Sequence, residues 1–190
     1  LLAVPLVNLI SADMGVMRTS LLPGLLNTAV YNLNRQQSRV RIFEVGQCFV
    51  PGQKGVSRLT QNTMLGGLIC GSRSPIGWTA GKDKVDFYDI KGDIEGLTGL
   101  KGLQHTFSFN AATHPALHPG QCAQLTRNGE AIGWVGQLHP RIQSSLGIDS
   151  GVYLFQINAD KIAEVRIPMH EEVSKFPEVK RDLAFFVETS

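Results

Sequence analysis

The sequence has little cysteine, no long apolar run and almost no excess of charge, and each absence excludes a class of protein. Its three cysteines, Cys48, Cys70 and Cys122, show no paired spacing, so we expect reduced, buried thiols and no disulfide framework. No apolar stretch approaches the roughly 20 residues of a membrane-spanning helix, and the apolar start lacks the basic flank of a signal peptide. A formal net charge of +2 is too small to indicate nucleic-acid binding by itself. We therefore expect a soluble, cytoplasmic protein.

The short motifs of common catalytic sites are also absent. There is no Gly-x-Ser-x-Gly elbow, and neither Gly-x-Gly-x-x-Gly nor Gly-x-x-x-x-Gly-Lys-Ser/Thr occurs. His114 and His118 have the four-residue spacing of some zinc ligands, but Pro115 and Pro119 follow them and disfavour a helical backbone there. We interpret both as turn histidines, with a zinc site as the less favoured alternative.

Hydrophobic periodicity predicts both helices and strands. The first helix has Thr19 or Ser20 as its candidate cap and Pro23 in its first turn, where proline is tolerated. Gly66 and Gly67, inside an apolar strand, indicate a bulge or a close backbone approach. The predicted helices span residues 21–34, 87–97, 140–146 and 159–165, and the predicted strands span 40–50, 64–71, 121–126, 131–138 and 153–157.

The connections between these elements indicate the fold class. Asn128 and Gly129 between two predicted strands favour a tight hairpin turn, since both tolerate positive φ angles. The connections are too short or too turn-like for parallel crossovers. We therefore predict an α+β fold in which helices flank an antiparallel sheet.

Five motifs follow one another in a specific order along the chain. The first, residues 17–49, combines the predicted first helix, a basic connection and a strand. The others are Asp-Phe-Tyr-Asp-Ile-Lys-Gly-Asp-Ile-Glu at 86–95, Leu-His-Pro-Gly-Gln at 117–121, Ile-Gly-Trp-Val-Gly-Gln-Leu-His-Pro at 132–140 and Ser-Lys-Phe-Pro-Glu-Val-Lys-Arg-Asp-Leu-Ala at 174–184. Each motif is weak alone, but the five in this order are specific. Together they closely resemble the β chain of bacterial phenylalanyl-tRNA synthetase.

This resemblance implies an organisation for the chain. Residues 1–167 would form a module shaped like a class II synthetase active site that does no chemistry. Residues 168–175, with mixed charge and no periodicity, are the predicted linker, and residues 176–190 resemble the first strand of a ferredoxin-like anticodon-binding domain. The sequence does not begin with Met and ends on a strand without a partner, so we expect a piece of a longer polypeptide.

The resemblance also implies a degenerate ATP site. The catalytic α chain of the same enzyme has a Gly-Arg-x-x-Arg strand and a later Gly-x-Gly-x-Glu-Arg pattern. In the matching stretches here, Gln47 and Val50 stand at arginine positions, Gln156 and Asn158 at glycine positions and Lys161 at an arginine position. Charge that would stabilise the phosphates is missing, and side chains replace glycines beside the nucleotide.

No catalytic, cofactor-binding or metal-binding residue is therefore expected in this chain. The family's shared magnesium ligands and its editing site belong to upstream domains, so ATP and Mg²⁺ would act in the holoenzyme. A turn similar to the α chain's substrate-pocket turn places His118 at an acidic position.

The family assembles as an α2β2 heterotetramer with the α chain and acts on tRNA(Phe). Our hypothesis is that the first helix contributes to the contact with α; the alternative is that its leucines face the internal core. The candidate contact residues are Met17, Arg18, Leu21, Leu22 and Asn32.

A run of arginines between the first helix and the next strand is a candidate tRNA contact. Arg35, Arg39 and Arg41 could each bind a phosphate, although a solvated connection is the commoner use of such a run.

Two other functional classes stay open. An active adenylate-forming enzyme is disfavoured by the replaced arginines and glycines. A free-standing RNA-binding module is disfavoured by the small net charge and by the lack of a basic stripe with interleaved aromatic residues.

Overall fold

The computed structural model describes residues 3–8, 15–51, 59–78, 81, 83–100, 104–163, 181–184 and 186. Four helices and six strands form this part of the chain, together with a short 3-10 turn at Gln104–Thr106. The helices are α1 (Leu22–Leu33), α2 (Phe87–Gly99), α3 (Pro140–Ser145) and α4 (Ala159–Ala163). The strands are β1 (Arg39–Pro51), β2 (Leu59–Gly71), β3 (Phe107–Ala111), β4 (Leu117–Arg127), β5 (Glu130–Leu138) and β6 (Val152–Asn158).

One antiparallel sheet contains all six strands. Its order is β1-β2-β6-β5-β4-β3, and every neighbouring pair is antiparallel. Strand β1, which follows helix α1 along the chain, forms one edge of the sheet. Strand β6 lies at the centre, between β2 and β5. The predicted α+β fold with an antiparallel sheet is confirmed.

The side chains of each strand alternate between two hydrophobic cores. On β6, Val152 and Leu154 belong to a core shared with helix α1, whereas Tyr153, Phe155 and Ile157 belong to a core shared with helix α2. This alternation follows from the two-residue period of a strand. We call the two sides of the sheet the α1 face and the α2 face.

Helix α1 lies against the sheet because β2 carries a glycine beneath it. A Cβ on Gly66 would lie 3.0 Å from Leu25 Cδ1 and 3.3 Å from Leu21 Cβ, so the absent side chain allows the helix to approach. The register of β1 with β2 continues through Gly66 and Gly67 without a shift. Neither predicted alternative is found here: β2 has no bulge at Gly66 and Gly67, and the atoms that approach Gly66 belong to side chains of the helix rather than to backbone.

The helix boundaries agree with the predictions to within a few residues. Pro23 lies in the first turn of α1, as predicted. The residue at the N-cap position is Leu21, which has no capping side chain, and the hydroxyl of the predicted cap Ser20 accepts from Leu22 N at 3.1 Å. Helix α2 begins with a capping box, in which the Asp86 carboxylate accepts from Asp89 N and the Asp89 carboxylate accepts from Asp86 N. Among the described residues, no helix has the length and apolar character needed to cross a membrane.

The hairpin between β4 and β5 has the predicted turn. Asn128 has φ of 50° and Gly129 has φ of 82°, the conformation expected of a tight turn between twisted strands. Strand β3 was not predicted. Strand β4 begins at Leu117, earlier than predicted, because a register shift between Leu117 and Cys122 accommodates Pro119 and Gly120 within the strand. The predicted linker at 168–175 and residues 164–165 of the predicted last helix lie outside the described residues. The predicted C-terminal strand at 176–190 stays a prediction as well.

Candidate functional site

Of the five positions predicted to form a degenerate ATP site, four lie on strands β1 and β6, on both faces of the sheet, and Lys161 lies on helix α4. Gln156 and Asn158 project from β6 toward the α1 face, because they share the alternation of Val152 and Leu154. Gln156 pairs with Gly66, and Asn158 pairs with Met64. On β1, Gln47 projects to the opposite face, where its Nε2 donates to Thr63 Oγ1 at 3.1 Å. Val50, at the end of β1 and paired with Thr60, is half-buried.

The Gln156 side chain attaches the start of helix α1 to the middle of the sheet. Its Oε1 accepts hydrogen bonds from Ser20 Oγ and from Leu21 N, both at 2.8 Å. Gln156 is only 8% exposed, so these bonds satisfy an oxygen that would otherwise be buried without a partner. They also replace the missing side-chain cap of the helix. The position where a glycine would leave space on the sheet is therefore occupied by an amide bound to the protein's own backbone.

Asn158 and Lys161 interact at the start of helix α4. Asn158 Oδ1 accepts from Lys161 N at 3.1 Å and so supports the first turn of α4. The Lys161 ammonium lies 3.2 Å from Glu130 Oε2, and both side chains are largely solvated. The lysine charge is therefore directed to the β4–β5 hairpin and forms a surface ion pair.

An arginine that precedes helix α1 lies over strand β1. Arg18 Nε donates to Gln47 O at 2.7 Å, and its Nη1 donates to Glu44 Oε1 at 2.5 Å. A Cβ on Gly46 would lie 2.1 Å from Arg18 Nη2, so Gly46 is required for this position of the guanidinium. The sequence predicted Arg18 as a contact with another chain. In the structure its charge is paired within the molecule.

The histidines of the candidate zinc spacing are bound by nearby backbone amides. His114 Nδ1 accepts from Ala116 N at 3.2 Å, and His118 Nδ1 accepts from Gly120 N at 3.0 Å. The His114 ring stacks on Trp134 with a centroid distance of 4.5 Å, and burial lowers the pKa of His114. Within the described ranges, no group of three or more His, Cys, Asp or Glu side chains is placed to hold a metal ion.

The three cysteines are free and buried. Burial raises the pKa of the Cys70 thiol to about 11, and it also raises the pKa of Cys48 and of Cys122. Because the thiolate is the nucleophilic form, none of the three is activated for covalent catalysis.

The candidate contact residues for the α chain are divided between the core and the surface. Leu21 is 1% exposed and Leu22 is 9% exposed, and both pack in the core of the α1 face. These two leucines cannot offer their side chains to a partner, so the alternative in which they face the internal core is the correct one. Arg18 is exposed, Met17 is half-buried, and Asn32 Nδ2 donates to Thr28 O at 2.8 Å. An intersubunit role for these three stays a prediction.

The three candidate tRNA-binding arginines each bind a different part of the chain. The Arg35 guanidinium carbon lies 3.3 Å from the centroid of the Tyr31 ring. Arg39 Nε lies 3.4 Å from Arg73 O, and Arg41 donates to both carboxylate oxygens of Asp93. Arg39 and Arg41 are two residues apart on β1 and so lie on the same face of the sheet. Contact of the three arginines with tRNA stays a prediction.

The family model described as "Phenylalanyl tRNA synthetase beta chain CLM domain" matches residues 2–159. The chain belongs to this family. It is 49% identical over 183 residues to the phenylalanine–tRNA ligase beta subunit of Pseudomonas fluorescens, an alignment that covers 96% of this chain and 23% of the relative. It is also 46% identical over 185 residues to the beta subunit of Hahella chejuensis, covering 97% of this chain and 23% of that relative. The chain therefore spans about a quarter of the length of these curated relatives.

A likeness to a solved structure confirms the class II synthetase-like fold. A pyrrolysyl-tRNA synthetase of Desulfitobacterium hafniense matches with a TM-score of 0.52 and 16% sequence identity. The match covers 77% of this chain and 49% of that chain. At this identity the likeness concerns the fold alone.

Proposed function

We propose that this chain is a non-catalytic, class II synthetase-like portion of the β subunit of phenylalanine–tRNA ligase. In this proposal it supports the α subunit, which attaches phenylalanine to tRNA(Phe) with ATP, within an α2β2 assembly in the cytoplasm. The family membership and the ligase relatives support the assignment to the β subunit. The geometry of the sheet supports a structural role for this portion.

The observation that carries the structural role is the bond between Gln156 and the start of helix α1. In an adenylate-forming site, this part of the sheet would have to receive a nucleotide and present positive charge to its phosphates. Here Gln156 Oε1 accepts from Ser20 Oγ and Leu21 N, so the protein's own chain lies there. The nearby cationic side chains are paired with carboxylates, Arg18 with Glu44 and Lys161 with Glu130.

The residues present do not fit ATP or Mg²⁺. The arginine positions hold Gln47 and Val50, and the glycine positions hold Gln156 and Asn158. The described residues also lack a cluster of metal-binding side chains. ATP and Mg²⁺ would act in the holoenzyme, and no step of adenylate formation passes through this chain.

Two assays test the proposal. ATP–pyrophosphate exchange with phenylalanine should be absent for the chain alone, whereas co-expression with the α subunit should yield a stable complex on size-exclusion chromatography. Exchange activity by the chain alone would favour an adenylate-forming enzyme. Tight binding of tRNA without α, measured at two salt concentrations, would favour an RNA-binding module.

A further inference from the structure

The outer edge of strand β1 is partly covered by the segment that precedes helix α1. Phe49 N donates to Arg18 O at 2.8 Å, and Arg18 Nε donates to Gln47 O at 2.7 Å. The N–H of Phe49 and the C=O of Gln47 therefore point away from β2. Because main-chain direction alternates along a strand, the same groups of Phe43 and Val45 point outward as well.

The rest of this edge has no partner strand in the part of the chain that the structure describes. No backbone hydrogen bond there reaches the outward groups of Arg41, Phe43 or Val45. Phe43 is 77% exposed and Val45 is 58% exposed. An apolar groove of about 360 Å³ continues from Phe43 over Leu65 and Phe155. Open main-chain groups beside exposed apolar side chains are the features of an edge that pairs with another strand.

The segment before helix α1 folds back on itself beside this edge. Met17 N donates to Val4 O at 2.8 Å and Leu6 N donates to Gly15 O at 3.0 Å, so two stretches of this segment run antiparallel to each other. In the later stretch, Met17 N faces the earlier stretch, whereas Arg18 O faces β1. The later stretch therefore lies between the earlier stretch and the end of β1.

The later stretch leaves the edge directly after Arg18. It turns there into helix α1, which begins at Leu22, and the Arg18 side chain is the last group that reaches along β1, to Gln47 and Glu44. The earlier stretch is antiparallel, so the polypeptide that precedes Val4 is directed past Arg18, toward the uncovered part of β1.

Polypeptide outside this chain is sufficient to supply a strand there. The alignments with the Pseudomonas fluorescens and Hahella chejuensis relatives each cover 23% of the relative, so about three quarters of their length lies outside the matched part. A strand needs only about five residues. Nucleic acid is disfavoured as the occupant, because Arg41 already donates to both carboxylate oxygens of Asp93.

We propose that the outer edge of β1 from Arg41 to Val45 pairs with a strand of the same polypeptide that lies N-terminal to residue 1. Main-chain groups at two-residue spacing bind such a strand, and its apolar side chains cover Phe43 and enter the groove. This inference rests on the length of the relatives and on the position of the segment before α1. It does not depend on the proposed function.

Photochemical cross-linking in the α2β2 holoenzyme identifies the occupant while every candidate is present. p-Benzoylphenylalanine in place of Phe43 keeps an aromatic side chain and, on illumination, attaches to C–H groups that it touches. Mass spectrometry of the digest should show a peptide of the β subunit from before residue 1. A peptide from the α subunit, from a second β subunit or from after residue 190 would overturn the proposal. No attached peptide, with a control label at Phe49 that does react, would show an open edge and overturn it as well.

Hydrogen exchange of single amides in the same holoenzyme separates strand pairing from cover of the side chains. The amides of Ile42 and Glu44 point toward β2, whereas those of Phe43 and Val45 point outward. With a paired strand, the outward amides should exchange within about tenfold of the inward ones, whereas on an open edge they should exchange at least about a hundredfold faster. Fast outward exchange would overturn strand pairing even if the cross-link leads to the expected peptide.

Two variants at one position test the main chain directly. Val45→Pro removes an outward N–H and leaves the bonds to β2 intact, since proline is tolerated on an edge when its nitrogen faces outward. Val45→Ala is the matched control, because it shortens the side chain and keeps the N–H. We expect Val45→Pro to speed exchange of the Phe43 amide at least about tenfold and Val45→Ala to change it less than about twofold. Equal effects would contradict pairing through the main chain.

The outcomes for this inference and for the proposed function are distinguishable. A β subunit that forms no complex with α would contradict the proposed function, and the same label and exchange measurements on the β subunit alone would still test the edge. A cross-link from Phe43 to the α subunit would overturn this inference and leave the proposed function standing.

Discussion

The two faces of the sheet differ sharply over strands β1 and β2. On the α1 face, Leu21 and Leu25 lie over Gly66, and Gln156 binds the start of the helix. On the α2 face, Phe43 and Val45 of the same β1 strand are exposed beside an apolar groove. The α1 face over these two strands is thus used for internal packing. On the α2 face the same part of β1 is exposed to solvent.

The largest expected loss of stability comes from removing packing on the α1 face. Leu25 is 3% exposed, and Leu25→Ala would leave a cavity between α1 and the sheet. We expect it to lower the free energy of unfolding by about 2–5 kcal/mol, measured by urea denaturation. Val45→Ala on the α2 face should lower the free energy of unfolding by less than about 0.5 kcal/mol. Similar losses for the two variants would contradict the difference between the faces.

The next effect concerns Gln156. Gln156→Ala leaves Leu21 N without its partner at the buried start of α1, so we expect a loss of about 1–3 kcal/mol in unfolding free energy. Gln156→Gly, which restores the glycine of the active pattern, should be destabilised as well. It should show no ATP–pyrophosphate exchange, because the start of α1 still covers the sheet and the arginines are missing. Measurable exchange by Gln156→Gly would mean that this one side chain blocks a functional groove.

A smaller loss of stability, which depends on pH, is expected from Cys70 in the core of the α1 face. Cys70 belongs to this core, and its pKa in the folded chain is raised to about 11 from the ordinary value of 9.0. The folded state therefore holds the thiol proton more tightly than the unfolded state. This contribution is fully present below pH 9 and is lost as the pH rises toward 11.

We expect the loss attributable to Cys70 to be about 1–2 kcal/mol. It would be measured as unfolding free energy at pH 8 and at pH 10.5 for the unmodified chain and for Cys70→Ala. The pH-dependent loss should be smaller in the variant. An equal loss in both proteins would show that the Cys70 thiol is not the titrating group.

Local signals in the sequence were sufficient for much of this fold. Helix α1, strand β1 and the Asn128–Gly129 turn were predicted because their signals lie within a few neighbouring residues. Strand β3 was missed because it is short, and its place depends on pairing with β4, where Ser108 Oγ and Thr126 Oγ1 lie 2.8 Å apart. Long-range pairing of this kind has no local signal.

The partners of the candidate site residues also had no local signal in the sequence. The family resemblance indicated that side chains replace glycines at Gln156 and Asn158, but it did not indicate what Gln156 binds. Its partner Ser20 is 136 residues away along the chain. For Leu21 and Leu22 the sequence left two alternatives open, a partner contact and the internal core, for a related reason. An amphipathic stripe shows that a helix face is covered, but it does not distinguish a sheet of the same chain from a second protein.

The smallest expected effect on stability concerns the ion pair of Arg18 and Glu44 at the edge of the α1 face. Their side chains are 45% and 35% exposed, so water and salt screen the attraction. A double-mutant cycle with Arg18→Ala and Glu44→Ala should give a coupling free energy below about 1 kcal/mol, which decreases further in 1 M salt. A coupling well above 1 kcal/mol would instead show that this ion pair contributes substantially to holding the segment before α1 against strand β1.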